Sequence, residues 1–195
     1  GSGSLIASGS VNSGIWVQSN SGDATLTIEN AEVAAAATSA AGNGVKVRAG
    51  EEKSASLTVD GGSLTATGTG TEPGICFQFG SEVSDSGTPS LTVSENAVVK
   101  ASGGAGGIFS NSGSVTPSGN GIVFDNGTGT VYGDVELQKD LAVGEDESLT
   151  VPDGAGLTIP QGKTLTNAGT VTVETSGTLT NNGTLENTNG TINNS

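Results

Sequence analysis

Trp16, Gln18, Arg48 and Gln78 are the residues of this sequence best suited to recognition chemistry, and the ligand class that chemistry suits is a sugar. An indole offers a flat apolar face for a sugar ring, while amides and a guanidinium bond hydroxyl groups. The competing role for Trp16 is structural: covering the core near the N-terminal end. Phe77, Phe79, Phe109 and Phe124 are expected to fill the core, as large apolar side chains do.

Catalytic chemistry has little to work with. The chain has no histidine, which removes imidazole bases and the common triads. Cys76 is the single cysteine, so no internal disulfide forms, and without a histidine partner it reads as a small buried apolar residue. A glycosidase needs two carboxylates at a fixed separation, but among 20 acidic residues such pairs arise by chance. No catalytic residue is assigned, and the expectation is a protein that is not an enzyme. No cofactor is expected either. The weak candidates for Ca²⁺ are Glu145, Asp146 and Glu147, with Glu51-Glu52 a second acidic cluster. Neither carries EF-hand or nonapeptide-repeat spacing, so a solvated turn competes with a metal site.

Charge narrows the partners. With 6 basic residues against 20 acidic ones the net charge is −14, and Arg48 is the only arginine. A concentrated basic face is absent, which argues against nucleic acid and against an anionic membrane surface. No apolar stretch approaches the ~20 residues of a membrane span. Gly1–Ser4 reads as a linker or an expression scar, and the chain as a piece of a longer exported protein.

Such residues need a scaffold, and the repeats indicate which. Hydrophobic residues make up 32% of the chain, below the ~45–50% of globular proteins. A thin solenoid needs only a narrow apolar column, so low hydrophobicity with high regularity favours it. One strand type recurs as Gly14-Ile15-Trp16-Val17-Gln18, Gly44-Val45-Lys46-Val47-Arg48 and Gly74-Ile75-Cys76-Phe77-Gln78. Gly107-Ile108 and Gly121-Ile122 look like looser copies. A second type follows at Leu26–Glu29, Leu57–Asp60 and Leu91–Ser94. A third matches SLIASG at 4–9, SLTATG at 63–68 and VVKASG at 98–103.

Apolar and polar residues alternate within these strands, as they do when one face is buried. The alternation predicts inward ladders Ile15–Val45–Ile75 and Leu26–Leu57–Leu91. It predicts outward ladders Trp16–Lys46–Cys76 and Gln18–Arg48–Gln78, with a reversed phase possible near Phe77 and Phe79. Loops are expected at 30–40, 49–54, 80–89 and 111–121.

From about Val131 the repeat shortens: Leu149, Leu157 and Leu165 recur, followed by GTV, GTL, GTL and GTI between 169 and 192. The expected fold is all-β, a single-stranded right-handed parallel β-helix with coils of about 30 residues over 5–130, narrowing to about 18–22 over 131–195. These estimates come from repeat spacing. Both regions are expected to form one domain, although a boundary near 130–145 is an alternative.

The run LTVPDGAGLTIPQGKTLTNAGTVTV at 149–173, with SGTLTNNGTLENTNGTINN at 176–194 and LTVDGGSLTATG at 57–68, resembles β-helix repeats of large adhesin-like surface proteins of gut bacteria. More distantly it resembles β-helical carbohydrate-binding domains. The resemblance implies an extracellular location, cell-surface attachment through parts outside this segment, and a host or cell-surface glycan or protein as partner. It carries over no binding residues.

Three functions follow. One is a non-catalytic adhesion, display or stalk segment. The second is a carbohydrate-binding module using the Trp16, Gln18, Arg48 and Gln78 face. The third is a polysaccharide lyase or glycoside hydrolase. Lyases of the pectate type share such an architecture and use acidic Ca²⁺ ligands with a basic residue, but one arginine and five scattered lysines are a thin set for it. Uncapped solenoid ends also predict end-to-end self-association.

Overall fold

A computed structural model describes residues 3–10, 12–80 and 86–195. Every regular element in it is a β-strand. The wide segment contains β1 (Gly3–Gly9), β2 (Ser13–Gln18), β3 (Ala24–Ala37), β4 (Asn43–Ala49), β5 (Ser54–Thr67), β6 (Ile75–Phe79), β7 (Thr88–Ser102), β8 (Ile108–Ser110) and β9 (Ser118–Asp125). The narrow segment contains β10 (Thr128–Tyr132), β11 (Asp134–Glu136), β12 (Leu141–Val143), β13 (Ser148–Val151), β14 (Gly156–Ile159) and β15 (Thr164–Asn167). It ends with β16 (Thr170–Val173), β17 (Thr178–Asn181), β18 (Thr184–Asn187) and β19 (Thr191–Asn194).

A nine-stranded sheet in the order β1-β3-β5-β7-β9-β10-β13-β16-β19 runs through both segments. A four-stranded sheet, β2-β4-β6-β8, belongs to the wide segment. Two three-stranded sheets, β11-β14-β17 and β12-β15-β18, belong to the narrow one. All named strand pairs are parallel except β9 with β10.

The expected inward ladders are in register. Ile15, Val45 and Ile75 align, as do Leu26, Leu57 and Leu91. Val45, Ile75 and Leu57 are completely buried. Phe77 and Phe79 are also buried and keep the phase of Ile75, so no reversal occurs there.

The second and third strand types are continuous rather than separate. β3, β5 and β7 each span both, bending where Asn30, Gly61-Gly62 and Glu95-Asn96 take left-handed backbone conformations. Glycine and asparagine tolerate that region best.

Three expected loops need correction or limits. Residues 31–37 belong to β3, because Val33, Ala35 and Ala37 alternate inward and are buried. They align with Gly3–Gly9 on one side and, through Ala36, with Gly62–Thr67 on the other, so EVAAAA is the third-type copy that residue identity concealed. Residues 118–121 open β9, and residues 81–85 of the expected 80–89 loop lie outside the described residues. Of the expected linker, Gly3 and Ser4 are in β1, while residues 1 and 2 lie outside the described residues.

Gly121-Ile122 is not a copy of the first strand type. Ile122 aligns with Val98 in the nine-stranded sheet, whereas Ile108 does align with Ile75. In β9 the consecutive residues Ile122, Val123 and Phe124 are all buried. Side chains alternate across a strand, so Val123 joins the wide segment's core while Ile122 and Phe124 join the narrow segment's core. The nine-stranded sheet therefore carries one core on each of its faces, and β9 is the wall between them.

Asn126 and Gly127, both at positive φ, turn the chain back into β10. Asn-Gly is the favoured pair for a two-residue hairpin. On the narrow segment's face of this wall, Lys100 Nζ meets both oxygens of Glu147, at 2.8 and 2.9 Å, and lies 4.4 Å from the Phe124 ring centroid.

Candidate functional site

The outward face of the four-stranded sheet gathers the expected recognition residues. Trp16 aligns with Lys46, Lys46 with Cys76, and Cys76 with Phe109. Gln18, Arg48 and Gln78 form the neighbouring column. All four residues singled out from the sequence share this face because Ile15, Val17, Val45, Val47, Ile75 and Phe77 occupy the alternate, inward positions.

The two ends of the first column are aromatic and open: Trp16 is 46% exposed and Phe109 43%. Three rungs separate them, ~14 Å at the usual strand spacing. Lys46 Nζ lies 5.8 Å from the centroid of the Trp16 ring, within range of a cation–π contact. Arg48 Nε donates to the Gly80 carbonyl at 2.9 Å, which holds the guanidinium against the turn after β6. Its terminal N–H groups are further donors in a fixed fork. Gln18 Nε2 donates to Asn20 Oδ1.

Phe109 corrects the expectation that every phenylalanine fills the core. Its position in an outward column was readable from Gly107-Ile108, which aligns with Gly74-Ile75. Lys46 was likewise placed outward by the repeat but not singled out.

Cys76 sits between the Lys46 and Phe109 rungs and is buried despite its outward position. Burial pushes its thiol up to about 11, with Lys46 opposing and Glu72 adding to the rise. A thiol so placed is overwhelmingly protonated at neutral pH and a poor nucleophile. Folded protein at pH 8 is therefore expected to resist iodoacetamide and to be alkylated fully in denaturant. Rapid alkylation of the folded chain, followed by mass, would overturn this assignment.

The Ca²⁺ candidates do not form a site. Glu145 and Asp146 are exposed in the turn between β12 and β13, while the Glu147 carboxylate is bound by Lys100 and by the Gly144 amide at 2.9 Å. Among the described residues, no group of three or more His, Cys, Asp or Glu side chains is placed to hold a metal ion. Glu29 and Asp60 are aligned neighbours, and Asp60 Oδ1 accepts a 2.6 Å hydrogen bond from Ser94 Oγ.

A concavity of about 710 Å³ lies where residues 137–141 of the narrow segment cross the bends of β3, β5 and β7. Asn30, Gly61, Asn96 and Leu137 help to line it, and Lys139 pairs there with Glu32. No local pattern announces a contact between residues so far apart in sequence. Comparison with known proteins finds no matching family model, no matching curated protein and no matching solved structure.

Proposed function

We propose that this chain is a non-catalytic extracellular surface module, an adhesion or display segment, that contacts glycan through the outward face of its four-stranded sheet. The observation that carries the reading is the aligned column Trp16–Lys46–Cys76–Phe109, with an exposed aromatic at each end. Apolar rings left in water on a flat, rigid sheet favour a partner that can stack on them. A passive stalk is the simpler alternative, and it gives these two aromatics no task.

The scaffold in this reading is a right-handed parallel β-helix, with wide coils giving way to narrower ones. Support comes from parallel partners recurring at regular intervals in four sheets. Both segments then wind with the same hand. Reversing strand direction at Asn126-Gly127 would by itself invert the winding, but the core changes sheet face at the same strand and restores it.

Anchorage to the cell is supplied by parts outside the segment. Leu5 and Ile6 at one end and Ile192 at the other remain exposed, which supports end-to-end self-association.

Glycan binding tests the function. A glycan and mucin array is expected to give saturable binding that Trp16→Ala weakens at least about tenfold, the loss of one stacking contact. Arg48→Ala is expected to weaken it as well. Unchanged binding in both variants would move the contact elsewhere, and no binding to any glycan would leave the passive stalk.

A further inference from the structure

Resting on that reading, we propose that the ligand of the Trp16–Phe109 face is an anionic oligosaccharide, bound with its acidic group at Lys46 and Arg48. The molecule as a whole repels anions, since its net charge is −14. Two of its 6 basic residues nevertheless stand on this face, at alternate positions of β4. Lys100 and Lys139 are neutralised by Glu147 and Glu32. Lys46 and Arg48 take part in no ion pair among the described residues.

Glu72 is an opposing charge felt at Cys76 in this column, and its carboxylate accepts a hydrogen bond from Asn43 at 3.3 Å. Among the described residues the face is therefore a small cationic island bracketed by aromatic platforms. An arginine fork and a neighbouring ammonium suit a carboxylate or sulfate.

The arrangement has a direction. The cations lie one rung from Trp16 and two rungs from Phe109. An oligosaccharide spanning the column, ~14 Å long, thus presents its charge near the Trp16 end while a more distant ring covers Phe109. Single-stranded nucleic acid, the other flexible anion with stacking rings, demands many basic residues along its backbone, and two do not suffice against this net charge.

Calorimetric titration with galacturonate oligomers of graded length, sulfated galactan oligomers, and neutral galactan oligomers of matching length tests the proposal. The galacturonates and the sulfated oligomers separate the two sources of negative charge. At least one acidic series is expected to bind about tenfold more tightly than the neutral one, the worth of one good charge pair. That preference should shrink as salt rises. Lys46→Gln with Arg48→Gln should abolish the preference, bringing the acidic series to the affinity of the neutral one, whereas Phe109→Ala should weaken only the longer oligomers. Equal affinity for acidic and neutral series would overturn the ligand class while leaving glycan binding standing. Absence of binding to every series would overturn both.

Discussion

Replacing Phe124 with alanine is expected to destabilise the narrow segment by about 3–5 kcal/mol, the usual cost of emptying a buried phenylalanine site. Phe124 is 1% exposed and belongs to the narrow segment's core although its strand pairs with β7 of the wide segment. Gly129, directly across the hairpin, has no side chain because its Cβ would stand 2.6 Å from the ring. The Lys100 ammonium lies over the same ring while held by Glu147. One truncation therefore removes core volume, the hairpin's cross-strand packing and a cation–π contact at once.

Amide hydrogen exchange reads the two cores separately. Val47 and Leu57 belong to the wide core and Leu157 and Leu165 to the narrow one, whereas Tyr132, although carried by β10, packs against the wide core. In Phe124→Ala the amides of Leu157 and Leu165 are expected to exchange well before those of Val47 and Leu57. Val123→Ala empties the opposite core and should speed exchange at Val47 and Leu57 first. Equal acceleration at both sets of amides in both variants would make the two cores one cooperative unit.

Much of the wide segment was legible because its repeats keep both spacing and phase. Ile15, Val45 and Ile75 alternate with Trp16, Lys46 and Cys76, and that alternation decides which residues face water. EVAAAA was not legible as a strand, since alanine carries little β-preference and Ala34 and Ala36 stand where the neighbouring strand carries Thr65 and Thr67. It forms one because the strands beside it supply every partner and the inward positions need only small side chains.

The change of core face was hidden for a different reason. Ile122-Val123-Phe124 breaks alternation, as any strand buried on both sides must, while the Asn-Gly turn that reverses the chain follows two residues later. The recognition face was half legible. Its four predicted residues needed only the repeat, but the exposure of Phe109 depends on β8 being the last strand of its sheet.

The bends of the long strands make a second large effect testable. Gly62→Ala is expected to cost at least about 2 kcal/mol, the upper end of the left-handed penalty for a residue with a Cβ. Its φ is +73°, and the new Cβ would stand 2.2 Å from the Ala31 carbonyl oxygen and 2.7 Å from the Ala31 nitrogen. Those atoms belong to the paired backbone of β3, which cannot yield without losing the Ala31–Gly62 register. The melting temperature should fall by about 4–8 °C for a chain of this size.

Gly61→Asn is the informative contrast. Its φ is +70°, yet the nearest atom to a new Cβ is Asn30 Oδ1, at 2.5 Å, the far end of a side chain that can rotate away. Asparagine also accepts the left-handed region, as Asn30 and Asn96 do at the same bend. A nearly unchanged melting temperature is expected. Gly154→Ala, at φ +76° with no atom within 4 Å, isolates the backbone penalty from any collision. Were Gly61→Asn as damaging as Gly62→Ala, the bend would be limited by crowding between stacked side chains. A loss at Gly62→Ala exceeding that of Gly154→Ala, with Gly61→Asn unchanged, would place the limit in the approach of one strand's backbone to the next.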